Sequence, residues 1–156
     1  MVKYNIGCGK KILEDYVNFD IVPYNDKVLK LDFEHDSLPD IPVEEILMEH
    51  FFEHINNQER AIRECSRVLK HNGILKVILP TFSPQFVHKS TYHPPFYFVN
   101  LGKNKDVYYD MNIDLNLKKA QFKGFSLKIF FERIFGILWA LMHKEIIFIF
   151  KKEAKH

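Results

Sequence analysis

The stretch Asn57-Gln-Glu-Arg-Ala-Ile-Arg-Glu-Cys-Ser-Arg-Val-Leu-Lys-His-Asn-Gly-Ile-Leu-Lys-Val-Ile-Leu79 changes its hydrophobic period partway along. In its first half, Ala61, Ile62, Cys65, Val68 and Leu69 recur at helical spacing. Asn56 or Asn57 suits the N-cap, and Asn72-Gly73 reads as a left-handed stop. The second half, Ile74 to Leu79, is nearly all apolar, the mark of a strand covered on both faces. Upstream, short apolar runs at 3–7, 17–21, 28–31 and 46–48 read as further strands, with a proline-punctuated loop at 38–42. Strands alternating with helices and short loops predict an α/β domain with a largely parallel sheet.

Downstream the reading thins. Residues 81–105 hold Pro84, Pro94, Pro95 and Gly102 without a clear period, and read as an inserted loop over one edge or the active face. Alternation at 111–122 predicts a strand with one exposed face, so 81–118 is an insert leading into an edge strand. A helix from about Ser126 to Met142 then precedes a last strand, Glu145 to Phe150, and a Lys-rich tail.

The chain has 156 residues, enough for one domain, 1–156, and one core. Its 22 Lys+Arg against 20 Asp+Glu leave +2, which excludes a strongly basic nucleic-acid-binding tail. The charge is uneven: residues 1–100 carry 11 basic and 14 acidic side chains, and residues 101–156 carry 11 and 6. No run of about 18 uncharged apolar residues predicts a spanning helix. Cys8 and Cys65 form no CxxC pair, which fits a reduced, cytoplasmic protein.

A strand running into Gly7-Cys8-Gly9 suits a bound nucleotide, because glycine lets the backbone turn sharply and approach a ligand closely. An acid ending the next strand, Asp20, can accept both ribose hydroxyls. The usual dinucleotide fingerprint is not met, since a third glycine is missing and Asp20 follows Gly9 by only 11 residues. From spacing alone, a tight turn and a ligand-binding loop both remain open.

Six segments in order carry more. They are Asn5-Ile-Gly-Cys-Gly-Lys-Lys11, Tyr16-Val-Asn-Phe-Asp-Ile21, Leu31-Asp32 with Leu38-Pro39, Phe52-Glu-His-Ile55, Glu64 to Leu75 with its Arg-Val-Leu-Lys-x-x-Gly-Ile-Leu run, and Leu79-Pro80. With them the chain resembles the class I S-adenosylmethionine-dependent methyltransferases, within these the small type-11-like group. The resemblance implies a Rossmann-like, doubly wound mixed sheet of about seven strands whose last strands run antiparallel to the rest. It also implies a short helix between the glycine loop and Asp20.

The cofactor so implied is S-adenosylmethionine, bound by Asn5, Gly7, Cys8, Gly9, Asp20, Ile21, Asp32, Phe33 and Glu49. Gly7 and Gly9 would flank its methionine part, Asp20 the ribose, Ile21 the adenine face, and Asp32 with Phe33 the adenine edge. Glu49 and His50 would lie near the methyl group. The implied reaction is methyl transfer to an unidentified small or medium acceptor.

His50, at the carboxyl edge after the fourth strand, is the first candidate for a catalytic base, and His93 in Tyr92-His-Pro-Pro95 the second. For each the plainer reading, a packed histidine without a proton-transfer role, is the preferred one. His50-Phe-Phe-Glu-His54 also fits a His-x-x-Glu-His zinc-hydrolase pattern, with both histidines on one helical face and Glu53 as base. The methyltransferase-like reading accounts for the same residues, so no metal is expected. Cys8 reads as a small packing side chain. The 15 Phe and 7 Tyr read as core filling, and nucleic acid is not an expected partner. A catalytically inactive binding or interaction protein on the same fold is the main alternative. The apolar 126–142 helix needs cover, for which a second copy of the chain is favoured over a membrane surface.

Overall fold

The computed structural model describes residues 1–80, 115–124 and 143–153. Strands β1 (Lys3–Ile6), β2 (Val17–Asp20), β3 (Val28–Lys30), β4 (Val43–Glu49), β5 (Leu69–Pro80), β6 (Leu115–Gly124) and β7 (His143–Lys152) form one sheet. Its order is β3-β2-β1-β4-β5-β7-β6. The first five strands are parallel, as expected. Of the last two, only β7 opposes them: it pairs antiparallel with both β5 and β6, so β6 runs in the direction of β5. Strand order reverses between β1 and β4, and parallel α/β sheets bind ligands beyond the carboxyl ends of strands at such a point.

Helix α1 (Gln58–Val68) follows a single 3-10 turn at Phe52–His54. Asn57 caps it, its side chain accepting from the Arg60 N–H at 3.0 Å. The helix stops at Val68, earlier than the Asn72-Gly73 signal, because Leu69 is already extended and opens β5. Asn72, at φ 65°, lies instead within β5, where the pairing with β4 shifts register between Leu69 and Ile74. The ε-ammonium of Lys152 on β7 donates to the Ser66 and Leu69 carbonyls, 2.6 Å each, and so satisfies acceptors that the helix end leaves open.

The apolar face of α1, Ala61, Ile62, Cys65 and Val68, joins one buried cluster with Tyr4 and Ile6 of β1, Ile46 and Met48 of β4, Leu75, Val77 and Leu79 of β5, and Phe148 and Phe150 of β7. These alternate along their strands, as the pleat requires. Tyr4 meets Phe19 edge to face, with ring centroids 5.0 Å apart.

The connections from β1 to β2, β2 to β3 and β3 to β4 contain no helix. The short helix implied before Asp20 is therefore replaced by turns, and side chains supply the hydrogen bonds that a helix would make internally. Asn5 and Asn18 face each other across β1 and β2. Asn5 Nδ2 donates to Asn18 Oδ1 and to the Lys11 carbonyl, both at 2.9 Å. Asn18 exchanges bonds with Leu13 in both directions and donates to the Tyr16 carbonyl, all at 3.0 Å. Both asparagines are buried, so each bond satisfies a group that water cannot reach.

The loop from β3 to β4 is latched by one face of α1. Arg60 donates to the Phe33 and Asp36 carbonyls at 2.5 and 2.6 Å, and Arg67 to the Leu38 carbonyl at 2.7 Å. Glu64 accepts the Leu38 N–H at 2.6 Å and pairs with Arg67 at 2.8 Å. These contacts hold the Glu64 carboxyl below its ordinary value, the Arg67 hydrogen bond contributing most. The predicted 126–142 helix, most of the 81–118 insert and His93 lie outside the described residues. Among the described residues no helix is long and apolar enough to cross a membrane.

Candidate functional site at the carboxyl edge

Four strand ends meet at the switch point. Gly7 and Gly9 follow β1 with φ 67° and 52°, conformations that suit glycine. The Gly7 and Cys8 N–H groups both donate to the Phe19 carbonyl, at 2.9 and 3.1 Å, so the loop opens by prolonging the β1–β2 pairing. The two glycines then differ. A Cβ on Gly7 would overlap the Phe51 ring, whereas a Cβ on Gly9 would have no neighbour within 4 Å. Open space for a ligand therefore lies at Gly9, while Gly7 admits Phe51.

Asp20 ends β2 beside that space. Its Oδ2 accepts the Gly9 N–H at 2.7 Å and its Oδ1 the Val22 N–H at 3.0 Å. A carboxylate oxygen offers two acceptor positions, so both atoms keep capacity for another donor. Next to it, Ile21 and Val22 are 54% and 56% exposed, an apolar step at the edge of the open space. Cys8 is buried between the glycines, and burial followed by the nearby Asp20 charge pushes its thiol up, as a packing rather than a nucleophilic role requires. Asn5 holds the loop from beneath through Lys11 and Asn18 and does not reach the open edge.

Asp32 is held by its own loop, accepting the Glu34 N–H at 3.1 Å and facing His35 Nδ1 at 3.0 Å. The His35 hydrogen bond is the largest of several contributions that lower its carboxyl. Phe33 is only 3% exposed, with its ring 6.1 Å from that of Phe51. It supports the site from within the core.

Glu49 and His50 leave β4 in different ways. Lys11 Nζ donates to both oxygens of Glu49, at 2.6 and 2.5 Å. His50 takes a left-handed φ of 52° while its N–H still donates to the Ile78 carbonyl at 2.9 Å. That turn carries the imidazole over the end of β5 to Glu145 on β7, with Nε2 to Oε1 3.1 Å. Nδ1 lies 3.9 Å from Oε1 of Glu53, a carboxyl raised above its usual range chiefly by burial.

His50 thus precedes the 3-10 turn, so the shared helical face supposed for His50 and His54 does not form. The described residues that do gather potential metal-ligating atoms within 4.8 Å are Glu49, His50 and Glu145. Glu145 had no motif to mark it, being brought in from 95 residues beyond His50 by β7 pairing, and Lys11, the last residue of the glycine-loop segment, carried no assigned role.

Residues 5–77 match the methyltransferase domain family. A stretch of 50 residues is 44% identical to probable S-adenosylmethionine-dependent methyltransferases of two Mycobacterium tuberculosis strains, covering 30% of this chain and 18% of each relative. The alignment thus spans less than a fifth of those curated relatives. The fold matches an S-adenosylmethionine-dependent methyltransferase from Mesorhizobium loti with TM-score 0.63 and 8% identity, over 97% of this chain and 90% of that one. It also matches a [4+2]-cyclase with TM-score 0.62 and 11% identity, over 98% and 74%. The matched segment, a little under half of the chain, is similar to the methyltransferase domain, and the architecture is the fold of solved S-adenosylmethionine-dependent methyltransferases.

Proposed function

We propose that the carboxyl edge binds S-adenosylmethionine and that the protein transfers its methyl group to a small or medium acceptor. The observation that carries this reading is Asp20: a strand-end carboxylate with spare acceptor capacity, facing open space at Gly9 and flanked by exposed Ile21 and Val22. That combination fits a ribose diol with an aromatic base beside it. Asp20 accepts the ribose hydroxyls, Ile21 supports the adenine face, and Asp32 borders its edge. Gly9, Cys8 and Gly7 bound the methionine side, with Asn5 and Phe33 fixing the floor beneath them.

Bound there, a sulfonium supplies a methyl group that is already activated, so the residues need mainly to align the acceptor and exclude water. His50 is the proposed base for an acceptor that must lose a proton. With Nε2–H donated to Glu145, Nδ1 carries the lone pair and takes that proton. The described residues give no reason to prefer the zinc-hydrolase alternative, whose helical geometry is absent. A cyclase of matching fold is a reason to measure transfer itself and not only binding.

Calorimetric titration with S-adenosylhomocysteine tests the binding half. Micromolar affinity in the wild type, weakened about ten- to a hundredfold in Asp20→Ala, is expected for a lost pair of hydrogen bonds to a charged group. Unchanged affinity in the variant would remove Asp20 from the site. We further place the protein in the cytoplasm, as its two free, buried cysteines favour, and retain the homodimer through residues 126–142, which concentration-dependent light scattering tests.

A further inference from the structure

We propose that Glu49, His50 and Glu145 form a binding site for a divalent transition-metal ion of the zinc class, with the buried carboxyl of Glu53 behind the histidine. One donor atom from each of the three lies within 4.8 Å of the others. The sheet brings them together. Glu49, the last residue of β4, pairs with Ile78 of β5, and Glu145 of β7 pairs with Pro80, two residues further along the same face of β5. His50 crosses the end of β5 between them through its left-handed turn.

Distance and donor type both fit an ion. Ligand atoms about 2.0–2.2 Å from a tetrahedral zinc ion stand about 3.3–3.6 Å apart. His50 Nε2 and Glu145 Oε1 are separated by 3.1 Å, close to that spacing. One imidazole with two carboxylates is a mixed nitrogen and oxygen set, which suits zinc better than magnesium or calcium. Lys11 Nζ contacts both Glu49 oxygens in an exposed ion pair, and either contact opens at little cost to admit the ion. The His50 side chain is 41% exposed, so the ion enters from solvent, and three protein ligands leave it a further position.

An independent observation lies on the far side of the ring. A metal-bound histidine commonly presents its other N–H to a carboxylate, which fixes the orientation and tautomer of the imidazole. His50 Nδ1 is 3.9 Å from Oε1 of Glu53, whose side chain is only 6% exposed. A shift of about 1 Å brings that pair to hydrogen-bond distance. Glu53 thus stands behind the ring and not beside the ion, and His54 has no part in the site.

Ion binding moves one proton. Nε2 gives its lone pair to the ion, so the ring proton passes from Nε2 to Nδ1, toward Glu53, and the imidazole stays neutral. Nδ1 then has no lone pair for an acceptor's proton. On the base reading above, the ion-bound protein is a blocked state for acceptors that must be deprotonated; the site itself does not depend on that reading.

The test titrates the whole protein with Zn²⁺ alone by calorimetry. Wild type should bind with micromolar or tighter affinity. His50→Gln and Glu145→Gln should each weaken binding at least about a hundredfold, and Glu53→Gln about ten- to a hundredfold. Lys11→Met should tighten it about two- to fivefold, because the ammonium no longer competes for Glu49, and misfolding cannot imitate that gain. Nitrogen-15 shifts of the His50 imidazole should pass from the Nε2–H to the Nδ1–H tautomer as the ion loads. Wild type without micromolar binding would overturn the site. Equal affinity in wild type, His50→Gln and Glu145→Gln, an adventitious ion only, would do the same, as would His50 shifts that ignore the ion.

Discussion

Gly7 is constrained twice, by a φ of 67° and by the Phe51 ring lying where a side chain would begin. Gly7→Ala adds left-handed strain of about 1–2 kcal/mol to overpacking of about 1–3 kcal/mol. Thermal or denaturant unfolding should show a loss of about 2–5 kcal/mol, and Phe51→Ala in the same chain should recover only the packing share. Gly9→Ala, with the same strain and open space around it, should cost about 1–2 kcal/mol in stability. His50→Gln should leave S-adenosylhomocysteine binding intact. For an acceptor that requires deprotonation it should lower the methyl-transfer rate about a hundred- to ten-thousandfold. A transfer rate equal to wild type would return His50 to a structural role.

At the scale of elements, the glycine loop is held by an asparagine pair where a helix was expected. Asn18→Ala removes the side-chain partners of the Leu13 N–H and the Tyr16 carbonyl and one of two donors to the Leu13 carbonyl, and should cost about 2–4 kcal/mol by denaturant unfolding. Adding Asn5→Ala should cost less than the sum of the single changes, because the two share a bond. The α1 latch predicts an acid sensitivity. The Glu64 carboxyl is lowered in the folded protein, so its contribution is fully present above its ordinary value of 4.5 and is lost as pH falls through the lowered folded value. In a series of melting temperatures from pH 6 to pH 3, wild type should lose more stability than Glu64→Gln below about pH 4.5. Parallel curves would remove the latch as a source of acid sensitivity.

These elements also separate what the chain displays from what it conceals. Periodicity located β1 to β5 and α1 to within a few residues, since a buried parallel strand and an amphipathic helix write their burial directly into hydrophobic order. The Asn72-Gly73 signal does not end α1 because it belongs to the irregularity inside β5 and not to a helix cap. The missing helix after β1 was not legible either, since the Asn5–Asn18 bond exists only once the two strands pair. Asp20, Gly9 and His50 could be picked out because each ends a readable strand or sits in a glycine turn. Glu145 could not, as nothing local ties it to His50, and Lys11, although part of the glycine-loop segment, shows no sign in the sequence of its pairing with Glu49.

For the molecule as a whole, the sheet order decides where chemistry can occur. β1 and β4 part at the switch point, and the loops after β1, β2 and β4 bring Gly9, Asp20, Ile21, Glu49 and His50 to one edge. β7, the one strand opposed to its neighbours, delivers Glu145 to the same edge from the end of the chain. Saturating S-adenosylhomocysteine at a hundred times its dissociation constant should stabilise the folded protein by about 2.7 kcal/mol. A crystal structure grown with S-adenosylhomocysteine tests the location most directly. The ribose hydroxyls should lie within hydrogen-bond distance of both Asp20 oxygens, with the base on Ile21. Ligand bound away from Asp20, or an unchanged empty edge at saturating ligand, would contradict it.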